Sequence, residues 1–221
     1  MFSAQSPFEQ FDALRNIPDS RHVFTQRVPG VDVSGDKAAA LKQLETAHRE
    51  VRSAIGVADW PLLTAEQVHG DKIAIVYLPV DGDKEFAGCD GIITNQREIA
   101  LGIHVADCCA VYIVDPITHA AGLVHSGKKG TEMAIVTKAI GKMKERFGSN
   151  SADLVVQLSP CIRPPHYEID FAAKIVEQCR AAGAKKIYDS GVCTACDLTR
   201  YYSYRAEKGK TGRMLALLGL G

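Results

Sequence analysis

The sequence predicts an α+β protein of one domain, a layered sheet core flanked by helices, and three observations point there. The chain has 221 residues, 46% of them hydrophobic and 24% charged, an ordinary balance for a globular domain with a sizeable core. Short β-like runs mix, without strict alternation, with three longer segments of helical period. No repeat, low-complexity tract or linker interrupts them, so 1–221 reads as a single domain.

A first helix is expected over 36–55, where Leu41, Leu44, Val51 and Ile55 share a stripe, Asp36 can cap the start and Gly56 can end it. A second is expected over 131–147, with Ile135, Ala139, Met143 and Phe147 at i, i+4 spacing and Gly148 beyond. A third runs over 170–183, with Asp170 as N-cap and Ala173, Ile175 or Val176, and Cys179 turned inward. Strands are expected at 22–28, 73–78, 99–105, 110–114, 120–125 and 154–159.

Basic and acidic residues number 26 each, so nothing in the charge suggests a nucleic-acid or membrane-surface binder. No apolar run approaches the roughly 18 residues of a membrane span, and the longest is broken by His104 and Asp107. The N-terminal residues lack the pattern of a secretory signal. The seven cysteines follow no disulfide-scaffold spacing, so reduced thiols in a cytoplasmic protein are expected. The segment 197–221 is locally basic, with Arg200, Arg205, Lys208, Lys210 and Arg213 against Asp197 and Glu207, which suits a small anionic ligand or a solvated face.

Polar chemistry gathers at the strand ends, where a rigid sheet displays reactive groups. His69, Cys108 and His125 each fall at a turn beside a strand. Two imidazoles and a thiolate are a borderline-soft set suited to zinc, with a fourth position left for water or substrate. The same residues could instead be a buried cysteine and hydrogen-bonded histidines, or Cys108 could be a nucleophile with His125 or His69 as its base. The Cys193-Thr194-Ala195-Cys196 turn has no second CxxC, so it reads as a small structural turn, with metal or redox chemistry as the alternative. Arg27 and Arg205 could hold phosphate or carboxylate, or simply make surface ion pairs. His22, His48, His104 and His119 read as residues without a site role, His48 in the polar middle of a helix and His119 in a turn after Pro116, and His166 reads likewise unless Pro164 and Pro165 hold it against the pocket. The glycines form no nucleotide-binding fingerprint.

Taken in order, QVHG at 67–70, CDGIIT at 89–94, ADCCAV at 106–111, VHSGKKGT at 124–131, SPCIRPPHYEID at 159–170 and CTACDLTRYYSYRAEKGKTGR at 193–213 resemble the laccase-domain family over about 20–221. That family includes proteins named multicopper polyphenol oxidase, purine nucleoside phosphorylase and peptidoglycan editing factor. The resemblance implies a layered α/β/β/α domain similar to that of certain cysteine-hydrolase toxins. It implies a metal site at His69, Cys108 and His125, with zinc expected and copper as the alternative.

The implied activity is phosphorolysis of adenosine, inosine and methylthioadenosine, with adenosine deamination beside it. The implied partners are a purine nucleoside and phosphate, with neither nucleic acid nor membrane, in a monomer or homodimer. For deamination, zinc-activated water would attack C6 of the purine while Asp107 or Cys108 handles protons. For phosphorolysis, Arg27 and Arg205 would hold phosphate beneath the ribose. Other expectations are a cysteine-type amidase editing a peptidoglycan precursor, a copper polyphenol oxidase, or a metal-binding module without catalysis. The chain departs from the family pattern at Lys128-Lys129, Ser159 and Arg163, and around Val28-Pro29-Gly30 and Ala38-Ala39-Ala40, all expected near the pocket.

Overall fold

Successive side chains of a strand point to opposite faces, and here the central strands bury both. The computed structural model describes residues 7–221, whose strands form two six-stranded mixed sheets. The first sheet is ordered β1 (Phe8–Glu9), β2 (Ser20–Thr25), β12 (Met214–Leu220), β7 (Ala100–Val105), β3 (Leu62–Ala65) and β5 (Lys84–Phe86). The second is ordered β11 (Lys186–Asp189), β10 (Val155–Leu158), β8 (Cys109–Asp115), β9 (Ala120–Ser126), β6 (Gly91–Thr94) and β4 (Ile73–Val76).

The sheets share one apolar core, to which β7 and β12 give Leu101, Ile103, Ala216 and Leu218, and β8 and β9 give Ala110, Tyr112, Val114 and Leu123. Each such fully buried large side chain contributes about 1.5–3 kcal/mol. Tyr112 keeps its hydroxyl satisfied there by donating to the Val23 carbonyl at 2.7 Å. The alternate residues face outward and are covered by helices. Short α1 (Asp12–Arg15) adds Leu14 to the shared core. Helix α2 (Lys37–Ala54) lays Val51 over Val23, Leu215 and Leu217 of the first sheet. Behind the second sheet are α3 (Lys128–Glu132), α4 (Ile135–Phe147) and α5 (Phe171–Ala181). Of these, α4 and α5 pack Ile140, Met143, Ile175 and Cys179 with Val111, Ile113 and Val156. The result is the expected α+β fold in four layers, α/β/β/α.

The caps behave as their chemistry demands. Asp36 accepts from the Ala39 amide at 2.8 Å and Asp170 from the Ala173 amide at 2.9 Å. The helix expected at 131–147 is two helices, because Ala134 takes a left-handed conformation at φ 55° and breaks the ladder. Strand β12 was not anticipated: its Met-Leu-Ala-Leu-Leu-Gly-Leu run is buried on both faces and carries no alternation to read. Short β1, β3, β5, β6 and β11 also escaped the pattern. Among the described residues, no helix is long and apolar enough to cross a membrane.

Strand register brings several loops to one end of the sandwich. Cys109 lies opposite Ser126, Gly91 opposite Val124, and Ile73 opposite Gly91. The residues just outside those pairs, Cys108, Gly127, Asp90 and the 67–72 loop, therefore converge. Met214 lies opposite Val105, which carries Arg213 and His104 to the same end from the other sheet.

Candidate metal centre

At that end the donor atoms of His69, Cys108 and His125 all lie within 4.8 Å of one another. The two imidazole rings meet edge to face, with centroids 4.9 Å apart. His125 is buried and its Nδ1 sits 2.9 Å from Oδ1 of fully buried Asp90, which leaves Nε2 to face Cys108. Asp90 also accepts from the His69 amide at 2.8 Å and the Gly70 amide at 2.7 Å. One carboxylate thus orients one ligand through its ring and the other through its backbone, the usual support for a metal-binding imidazole.

The backbone here departs from its ordinary range. Gln67, His69 and Asp107 have φ of 65°, 61° and 81°, a conformation that costs non-glycine residues roughly 1–3 kcal/mol each. Side-chain bonds hold it in place. Gln67 donates to the His104 carbonyl at 2.6 Å and accepts from the His104 amide at 2.9 Å, clamping the loop to β7. Asp107 accepts from the Thr194 hydroxyl at 2.8 Å and the Arg205 amide at 2.6 Å. Gly127 is required for space: a Cβ there would lie 2.4 Å from Cys108 Sγ.

Burial alone would raise the Cys108 thiol, but His125 and His69 beside it pull its pKa down to about 6. Burial alone would lower His125, yet the Cys108 sulfur and Asp90 raise it to about 9. Asp90 is held below the carboxylate range: His125 and the two amides outweigh its desolvation. A deprotonated sulfur and two positioned imidazoles are the donor set that a zinc-class cation takes, so the residues fit such an ion.

The trio opens into a cavity of about 640 Å³. Its wall carries Lys37, Lys128, Lys129, Arg205, Lys208 and Arg213, with Asp107 the one carboxylate among the lining residues. Arg213 is half-buried, donates only to the Thr211 and Gly212 carbonyls, and has no carboxylate within ion-pair distance among the described residues. Burial lowers its pKa, outweighing the opposite pull of Tyr204, Cys108 and Asp107. Tyr167, Phe171 and Tyr204 supply aromatic surface to the same cavity.

Other expected site residues are placed differently. Arg27 does not line the cavity: its guanidinium bonds Glu207 at 2.7 Å and the Tyr201 carbonyl, and lies 4.4 Å from the Tyr202 ring centre. Arg205 lines the cavity while pairing with exposed Glu168 at 3.2 Å. The Asp107 carboxylate is fastened to two donors and serves as a tie between loops. Arg200, part of the basic segment, reaches away to Glu9 at 3.0 Å. His104 lines the cavity, whereas His166 does not. Of the expected departures only the Lys128-Lys129 pair lines the cavity; Ser159 is buried beneath, accepting from the Ala110 amide at 2.9 Å, and Arg163 pairs with Asp189. Asp90, Gln67 and Gly127 were missed as site residues from sequence, and Arg213 was read only as one member of a basic segment, although all four lie within the quoted motifs.

The chain matches the family model described as multi-copper polyphenol oxidoreductase laccase over two overlapping segments, 20–178 and 166–221. It is 30% identical over 179 residues to a Clostridium acetobutylicum protein named purine nucleoside phosphorylase, covering 69% of this chain and 74% of that one. It is also 30% identical over 207 residues to the purine nucleoside phosphorylase YlmD of Geobacillus stearothermophilus, covering 74% and 76%. The crystal structure of the Geobacillus YlmD superposes with a TM-score of 0.83 at 22% identity, over 98% of this chain and 99% of that one. A Bacillus licheniformis hypothetical protein, YfiH, gives 0.81 at 23% identity, over 98% and 100%. These solved structures share the fold.

Proposed function

The chain belongs to the multi-copper polyphenol oxidoreductase laccase family, and from that premise we propose that it is a zinc-dependent purine nucleoside phosphorylase. The observation that carries the reading is one cavity that gathers the His69, Cys108 and His125 donor atoms beside a cationic wall in which half-buried Arg213 has no carboxylate within ion-pair distance among the described residues. Zinc bound by His69, Cys108 and His125 would supply Lewis acidity at the cavity floor.

Everything else falls to the side chains. Arg213, Lys208 and Arg205 hold inorganic phosphate and neutralise its charge as a phosphate oxygen attacks ribose C1′ and the glycosidic bond to N9 breaks. Tyr167, Phe171 and Tyr204 offer faces on which a purine can stack. Asp107 holds the Arg205 backbone and so aims that arginine. Adenosine, inosine and methylthioadenosine are the proposed substrates. Deamination of adenosine at C6 belongs to the same reading.

The test is chromatography of adenosine incubated with the protein, with and without phosphate, beside Cys108→Ala. Phosphate-dependent adenine, or phosphate-independent inosine, that vanishes in the variant supports the proposal. No turnover of any of the three nucleosides by zinc-loaded protein would sink it.

One observation favours a second reading. Cys108, His125 and Asp90 stand in the order nucleophile, base and orienting carboxylate that a cysteine hydrolase uses. An amidase acting on a peptidoglycan precursor would use them so, and would keep its activity after complete zinc removal.

A further inference from the structure

Two features that stand apart in sequence, His166 after the proline pair and the Cys193–Cys196 turn, meet in the structure. The donor atoms of His166, Cys193 and Cys196 lie within 4.8 Å of one another, outside the cavity described above. His166 Nδ1 is 3.7 Å from Cys193 Sγ and 3.5 Å from Cys196 Sγ. A tetrahedral zinc with Zn–S near 2.3 Å and Zn–N near 2.0–2.1 Å sets nitrogen and sulfur about 3.6 Å apart. Both distances therefore match edges of a zinc tetrahedron before any ion is added.

Nδ1 has one lone pair to share between the two sulfurs, and Cys193 Sγ also lies 3.8 Å from the Arg163 carbonyl, to which its thiol can donate while the metal is absent. A cation inside the triangle would engage all three donor atoms at once. The backbone already holds the donors together: the Cys161 amide donates to Val192 at 3.2 Å and the Thr194 amide to Cys161 at 3.2 Å. Cys193 is buried, whereas Cys196 and His166 are exposed, so a fourth position faces water.

We propose that His166, Cys193 and Cys196 form a second, structural zinc site of this chain. Such a site clips the 161–168 segment to the 193–196 turn. Both reach the cavity, the first through Ile162 and Tyr167 on its wall, the second through Thr194, which donates to Asp107. The site thereby braces the cavity floor from behind, and it stands whether or not the nucleoside reading does.

The test uses reduced, full-length Cys108→Ala protein, in which the first centre is disabled, titrated with cobalt(II) and then zinc(II). One equivalent of cobalt is expected to produce a thiolate-to-cobalt charge-transfer band that one equivalent of zinc abolishes. Cys196→Ser should cut that band by half or more, and His166→Ala should weaken metal binding more than ~10-fold, at least the loss that an indirect partner causes. Both substituted residues are exposed, so circular dichroism should report an unchanged fold. Wild-type protein gives a second readout: two zinc ions per chain, falling to one in Cys196→Ser. Absence of the band in folded Cys108→Ala protein, or equal zinc content in wild type and Cys196→Ser, overturns the proposal.

Discussion

Asp90 and His125 form the buried pair on which the candidate metal centre rests, with a carboxylate oxygen 2.9 Å from Nδ1 and both side chains nearly or fully removed from water. The His125 amide donates to the Asp90 carbonyl as well, at 2.7 Å, so ring and backbone are held by one residue. Asp90→Asn keeps the shape but loses the charge and an acceptor. It should weaken zinc binding by about 10–100-fold, measured by chelator competition. Affinity equal to wild type would mean that the pair supports the fold and not the metal.

Gly127→Ala puts a methyl group 2.4 Å from the Cys108 sulfur unless something shifts. Its φ of −99° is ordinary, so the effect is steric and not conformational. The variant should fold with a modest loss of about 1–3 kcal/mol while losing most zinc binding and turnover. Zinc titration beside a urea melt separates the two effects.

The two arginines make opposite predictions. Arg213→Gln should raise the KM for phosphate at least ~10-fold, since charge-assisted bonds are worth about 1.5–3 kcal/mol. Arg27→Ala should leave phosphate dependence unchanged, because its guanidinium is committed to Glu207 and Tyr201. It should instead cost stability of about 1–3 kcal/mol, by leaving Glu207 short of a partner. Steady-state kinetics at varied phosphate checks both.

That contrast illustrates what was legible in the sequence. Types and spacings pointed to His69, Cys108 and His125, and register then brought them together, because each sits beside a strand end of the second sheet. Arg27 also sits at a strand end, but it follows β2 of the first sheet and turns toward Glu207. Nothing local to Arg27 foretells an acid 180 residues away. Asp90 escaped notice for a related reason: a single aspartate before an apolar strand reads as a turn residue until its three donors are seen. The α2 and α5 caps were readable because they are local, and the stripes only in part: Leu44, Val51, Ile175 and Cys179 are buried as expected, whereas Ala173 is exposed and its neighbour Ala172 turns inward instead. The β12 strand was not, since burial on both faces erases the alternation that marks a strand.

Acid should destabilise the protein through two buried histidines. His22 Nε2 accepts from the Phe11 amide at 2.9 Å and must be unprotonated to do so. Burial lowers the pKa of His22, and likewise of His48, to about 4. Below about pH 6.5 the unfolded chain takes up these protons while the folded protein does not, so stability falls until about pH 4 and then levels off for these groups. Between pH 7 and pH 5 each histidine should cost about 2 kcal/mol. Urea unfolding at the two pH values, with His48→Gln as comparison, should show a drop smaller by about 2 kcal/mol in the variant.

The central claim is that the His69–Cys108–His125 centre, loaded with zinc, makes the cationic cavity reactive toward purine nucleosides. The most direct measurement is phosphate-dependent adenine release from adenosine as zinc is returned to metal-depleted protein. The account predicts that release rises with added zinc in wild type and stays absent in His69→Ala and Cys108→Ser at any zinc level. Full release by metal-free protein, or by either folded variant, would contradict it.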